Sequence, residues 1–196
     1  MADPRLYLAS RSPRRRALLD QIGIDYRVVA VAVKELAAAG EGAEDFVCRM
    51  ALEKATAGWD CVKGLGQSAV LGADTVVMAD GAPLGKPRDE AEARNQLSRL
   101  SGREHQVLSA VAIVSVAHQA MRLSKSRVWF RQLSPAMIER YCATGEPLDK
   151  AGSYAIQGRA ALFIRRLEGS YSGVMGLPLF ETGELLHAVG LQVLVE

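Results

Sequence analysis

The chain has 196 residues, 49% of them hydrophobic, enough to bury the core of one large domain or of two closely packed lobes. Lys and Arg total 24 against 22 Asp and Glu, a net charge of +2, which excludes a uniformly basic nucleic-acid wrapper and makes any anion site local. Cys48, Cys61 and Cys142 are widely spaced and odd in number without a CxxC pair, which argues against a disulfide framework and a thiolate zinc site.

Short apolar strands alternate with longer helices, and neither a repeat nor a linker interrupts them. Leu6 to Ala9 predicts a first strand. Ser12 offers an N-cap with Pro13 at the first helical position, and that helix runs through Leu18, Leu19 and Ile22 to Gly23. Tyr26 to Val33 alternates as a second strand. A helix is expected from Ala43 to Ala57, with Phe46, Val47, Met50 and Ala51 on one stripe that Lys54 continues.

Ala69 to Met78 predicts a strand interrupted by Asp74 and Thr75, and Asp80-Gly81 a hairpin turn after it. A helix follows from Asp89 to Leu100, ending at Gly102. Two long strands, Gln106 to Ala117 and Met121 to Gln132, are joined near His118, and Ser134-Pro135 starts a helix ending near Gly145. A turn-rich loop leads to a strand at Ala161 to Leu167. Then come a turn region from Gly169 to Pro178, a helix over Thr182 to Val189, and a last strand at Leu191 to Val195. The pattern is a mixed α/β sheet, and the two late glycine-containing loops read as site-lining segments. Met1 to Tyr7 begins no signal peptide, and no apolar run is long enough to cross a bilayer, so a soluble, cytoplasmic protein without a membrane partner is expected.

Three features carry chemistry. Ser10-Arg11-Ser12-Pro13-Arg14-Arg15-Arg16 stacks three arginines in a first helical turn, where the helix dipole is already positive, at about 0.3–1 kcal/mol each. An anion bridging the free N–H groups and guanidinium forks offsets that cost; a solvated basic arm is the plainer reading. Asp74 lies inside an apolar strand, where a carboxylate has to be paired, protonated or delivered into a cleft, or else caps a strand-end turn. Lys86, between Gly85 and Pro87, can present a point charge to phosphate, although Gly81 to Pro87 lacks Walker A spacing and Pro87 replaces its Ser/Thr. His105, His118 and His187 are too far apart for a zinc site, so a hard divalent ion is the metal to expect, with Glu35 at the end of the second strand and Asp74 as candidate ligands. Either acid also reads as a solvated surface group.

Taken in order, Leu8 to Arg15, Glu35, Glu53-Lys54-Ala55, Gly72 to Val77, Gly85-Lys86-Pro87, Leu100-Ser101-Gly102 with His105, Glu146 to Gly158, and Gly169 to Leu179 resemble the pattern of the Maf family across nearly the whole chain. The resemblance implies a single Maf-like domain over residues 1–196, or two closely packed lobes. It also implies a fold similar to the inosine triphosphate pyrophosphatases, an elongated mixed sheet with flanking helices and a central cleft, and a homodimer. The implied activity is release of pyrophosphate from a nucleoside triphosphate with magnesium or manganese as cofactor, in removal of non-standard nucleotides and with an influence on cell division. It implies Asp74 as proton acceptor and Arg14, Thr75 and Gln157 as positions governing substrate choice. Ser10, Arg15, Glu35, Lys54 and Lys86 are further implied around phosphates and metal. Asp149 to Gly158 resembles the subgroup acting on dTTP and UTP, and a neutral Gln157, donor and acceptor at once, suits a uracil or thymine edge. Two alternatives stand beside it: a 7-methyl-GTP pyrophosphatase, and a regulator of division that binds nucleotide or nucleic acid without turnover.

Overall fold

The computed structural model describes residues 5–66 and 68–193, and among these seven strands form one mixed sheet flanked by helices. The elements are β1 (Arg5–Leu8), α1 (Pro13–Gln21), β2 (Tyr26–Val28), α2 (Ala43–Val62), β3 (Ser68–Ala79), β4 (Ala82–Leu84), α3 (Glu90–Leu100), β5 (Glu104–Ser115), β6 (Gln119–Phe130), α4 (Pro135–Cys142), β7 (Ile164–Glu168), α5 (Tyr171–Met175) and α6 (Leu179–Ala188). Short 3-10 turns occupy Glu146–Asp149, Ala151–Ser153 and Arg159–Phe163. The strand order is β2-β1-β3-β5-β6-β7, with β4 on β3. β1 pairs parallel with β2 and β3, while β4 and β7 pair antiparallel with β3 and β6.

The chain divides into two compact units, the first taking the residues up to Asp74, Ser109–Ser124 and those from Gly176 onward, the second Thr75–Leu108 and Lys125–Met175. In the first unit, Leu6, Leu8, Leu18, Leu19, Met50, Leu71 and Leu185 form the core. Helix α2 comes down on β3 at Gly72, where a Cβ would stand 2.3 Å from the Ala51 carbonyl oxygen and 2.5 Å from the Ala55 nitrogen. Only glycine permits that backbone approach.

Here two expectations are corrected. The second strand, expected to reach Val33, ends at Val28; Val29 and Val31 instead pack, as Trp59 does, on the cluster of Tyr7, Ala9, Val62 and Val70. Their alternation records burial against neighbouring elements, and Glu35 consequently lies in an irregular segment rather than at a strand end. Helix α2, expected to stop at Ala57, continues to Val62 because Gly58 is a packing site: its Cβ would meet Val70 Cγ1 at 2.7 Å.

In the second unit, Asp80 and Gly81 adopt positive φ values of 52° and 74° and close the expected hairpin, with Ala79 opposite Ala82. Asp89 caps α3 by accepting from the Glu92 N–H, and α3 packs on α4 and on the turn at Ala151–Ser153. His105, Phe130, Tyr141, Tyr154 and Phe163 form an edge-to-face aromatic cluster with ring centroids 4.9 to 6.0 Å apart.

Strands β5 and β6 each lie two residues earlier than expected, because their turn is Val116 to His118, closed by Ser115 N–H donating to the His118 carbonyl at 2.8 Å. Ala161 to Phe163, expected to open a strand, form a 3-10 turn before β7, and α5 stands within what was expected to be a loop. Helix α6 starts at Leu179, three residues ahead of the expected Thr182. Of the final strand expected at Leu191 to Val195, residues 191–193 carry no strand and the remainder lies outside the described residues.

Candidate active site

Asp74 sits in the middle of β3, not at a strand end, so the capping role open to it on sequence is ruled out. The contact at Gly72 sets Lys54, on the buried stripe of α2, against it: Lys54 Nζ donates to Asp74 Oδ1 at 2.7 Å. The same ammonium lies 2.5 Å from Glu35 Oε1. Lys54 and Asp74 are each only 8% exposed. Burial raises the Asp74 carboxyl above the ordinary 3.8, and the attraction of Lys54 and Arg15 opposes it.

Arg15 is fixed from three directions. Ser12 caps α1, accepting from the Arg15 backbone N–H at 3.5 Å. The Arg15 Nη1 donates to Ser10 Oγ at 3.1 Å, and its Nε donates to the Gly176 carbonyl at 2.8 Å. Burial lowers the guanidinium from its ordinary value, Asp74 and Glu35 raise it, and the neighbouring charge of Arg14 lowers it further. Arg14, half-buried, therefore belongs to the same electrostatic set.

Sequence reasoning missed two supports of this set. Gly176, at φ 114°, turns its carbonyl to Arg15 from 161 residues away, and the only signal was its place in the glycine-containing region after Gly169. Arg49 grips Glu41 through Nε and Nη2, both at 2.6 Å, and donates to the Leu36 carbonyl at 3.0 Å. Its hydrogen bonds hold the Glu41 carboxyl down to about 2. That grip ties the irregular segment carrying Glu35 to α2 about one turn ahead of Lys54.

The second unit carries the other expected residues. Thr75, the next residue on β3, is half-buried, while Lys86 and Gln157 are exposed. The Lys86 loop and the stretch leading to Gln157 meet where Gly152 N–H donates to the Gly85 carbonyl at 3.3 Å. Gly152, at φ 69°, packs on Val77 so closely that a Cβ would approach it to 2.9 Å.

Among the described residues, no three or more His, Cys, Asp and Glu side chains are grouped to hold a metal. Two carboxylates do converge, however, since Glu35 and Asp74 share one ammonium. A pair of carboxylates, completed by phosphate oxygens and water, fits the usual ligand set of magnesium. No helix is long and apolar enough to cross a membrane among the described residues.

The site of this α/β protein thus sets a lysine shared by two carboxylates in the electrostatic field of an arginine anchored in the first turn of a helix. The chain belongs to the Maf-like protein family, whose model matches residues 5–189. It is similar to the dTTP/UTP pyrophosphatase of Alkalilimnicola ehrlichii, 55% identical over 93% of this chain and 92% of that one. The dTTP/UTP pyrophosphatases of Methylococcus capsulatus and Aromatoleum aromaticum are 51% and 50% identical, over 96% and 95% of this chain and 93% and 96% of theirs. Among solved structures, the Staphylococcus aureus Ham1 protein aligns with 67% of this chain and 72% of its own at 14% identity and a TM-score of 0.41, too low to bear on the fold.

Proposed function

We propose that this chain is a cytoplasmic nucleoside triphosphate pyrophosphatase that hydrolyses dTTP and UTP to the monophosphate and pyrophosphate. The observation that carries the reading is the buried Asp74, paired with Lys54 and within the field of Arg15. The names of relatives about half identical over nearly the whole chain support the substrate pair.

In the reaction, a water oxygen bonds to the α-phosphorus as the bond from that phosphorus to the bridging α,β oxygen breaks. Asp74 accepts the water proton, and pyrophosphate leaves with the electron pair. Ser10, Arg14, Arg15, Lys54 and Lys86 bind the phosphates and neutralise their charge. Lys54 holds both carboxylates in the free protein, and the incoming triphosphate offers it a third anion. A divalent ion, magnesium or manganese, bound by Glu35 and Asp74 would supply further charge neutralisation and polarise the phosphates. Thr75, Gln157 and Arg14 set the choice of base. The homodimer implied by the resemblance belongs to the same reading, and light scattering should return twice the 21.1 kDa of the chain.

A panel of dTTP, UTP and 7-methyl-GTP, with pyrophosphate detection, tests the function: preference for 7-methyl-GTP overturns the substrate assignment, and absence of pyrophosphate with either metal overturns the reaction. Asp74→Asn keeps the shape and removes the basicity, so kcat should fall by about 10²–10⁴-fold with nucleotide binding retained. Normal turnover in that variant overturns the role of Asp74.

A further inference from the structure

Gln157 stands in a four-residue turn whose two ends are held by one pair of side chains. The turn runs from Ala155 to Gly158 and closes where Gly158 N–H donates to the Ala155 carbonyl at 3.1 Å, which puts Gln157 at its third position. At the near end, the Ala155 N–H donates to the Tyr141 hydroxyl oxygen at 3.3 Å. Just past the far end, the Arg159 N–H donates to Glu146 Oε2 at 3.1 Å. The two anchors are themselves joined, since the Tyr141 hydroxyl donates to Glu146 Oε1 at 2.8 Å.

The carboxylate also fills the space beside the turn. A Cβ on Gly158 would fall 2.3 Å from Glu146 Oε1 and 2.6 Å from its carboxyl carbon. Glu146 is in turn braced by Lys150 Nζ, which donates to its backbone carbonyl at 2.7 Å. Tyr141 is buried at 4% exposure and its ring packs on Phe163, 5.1 Å between centroids, so the hydroxyl has a fixed position from which to work. Ala155 and Ile156 are buried while Gln157 emerges exposed. The arrangement fixes the backbone on both sides of a single side-chain amide.

We infer that Tyr141 and Glu146 are positioning residues for base selectivity: the pair clamps the turn so that the Gln157 amide meets the nucleobase edge in one place. This rests on the proposed reading of Gln157 as a contact to the base. A uracil or thymine edge presents an N–H flanked by carbonyls, and a cytosine edge presents a different order of donors and acceptors. An amide distinguishes them only when its backbone is held, because hydrogen-bond discrimination collapses when the donor can follow the ligand.

The test measures kcat and KM for dTTP and for dCTP with Tyr141→Phe, Glu146→Gln and Gln157→Ala. Phenylalanine removes the hydroxyl that serves Ala155 and Glu146; glutamine keeps the shape of Glu146 but turns an N–H₂ toward one of its two donors. In both clamp variants, KM for dTTP should rise about 10-fold with kcat within about 2-fold of wild type, and the dTTP-over-dCTP preference should fall about 10-fold. A merely structural role moves kcat for both nucleotides together and leaves their ratio alone. Wild-type selectivity in folded Tyr141→Phe and Glu146→Gln proteins, with a ratio that does change in Gln157→Ala, overturns the clamp and leaves the reading of Gln157 standing. An unchanged ratio in Gln157→Ala overturns both.

Discussion

Asp74 and His105 are both buried titratable groups, and burial pushes them to opposite consequences. The Asp74 carboxyl is raised above 3.8, so its contribution to stability is present below 3.8 and is lost as pH rises through the folded value. Activity needs the ionised form, so kcat/KM should carry an acid limb that falls above 3.8, and a directly titrated Asp74 found below 3.8 would sink the assignment. His105, 2% exposed, is lowered by burial from 6.5 to about 4, and its Nδ1 finds no partner among the described residues. It stabilises the fold as the neutral ring above pH 6.5, and that stability, about 3 kcal/mol, is lost as pH falls through 4. Urea midpoints between pH 7 and 4 should show this loss in the wild type and a flatter profile in His105→Gln; equal slopes would refute it. At this scale the sequence is most readable where a residue conflicts with its surroundings. Asp74 in an apolar strand and Lys54 on an apolar stripe both stand out, and each answers the other. Arg49, Glu41 and Gly176 stand out in nothing, because their roles exist only through partners that irregular backbone brings near.

Capped helices and tight turns were legible because their signals are local: Ser12-Pro13, Ser134-Pro135 and Asp80-Gly81 each act within four residues. The ends of β2 and α2 were not, since Val29, Val31 and Gly58 take their meaning from packing against distant residues. The 3-10 turns from Glu146 to Phe163 have no periodicity long enough to read. At Gly72 the element contact and the chemistry coincide. Gly72→Ala should cost about 1–3 kcal/mol or more, because the atoms in the way are helix backbone and cannot rotate aside. It should also lower kcat by displacing Lys54 from Asp74. A variant with an unchanged melting temperature would show that α2 can move off the sheet freely.

For the molecule as a whole, the alternation of strand and helix patterns indicated the α/β class, but the order β2-β1-β3-β5-β6-β7 includes parallel pairings of β1 with β2 and with the distant β3, which no local pattern specifies. The near balance of charge indicated that cations would be concentrated rather than spread, and Arg14, Arg15 and Lys54 are so concentrated.

The lysine held by Glu35 and Asp74 gives the resting site its own counter-ions. With Arg14 and Arg15 alongside, the two carboxylates offset much of the positive charge, so substrate entry becomes in part an exchange of one anion for another. A ligand with few phosphates has little to exchange. The monophosphate product should therefore bind the wild-type protein at least about 10-fold more weakly than a non-hydrolysable dTTP analogue, and that gap should narrow in Asp74→Asn, both measured calorimetrically at one ionic strength. Equal affinities would mean that the carboxylates do not guard the lysine. If they do, the same contacts that keep Lys54 in place also help the enzyme release what it has made.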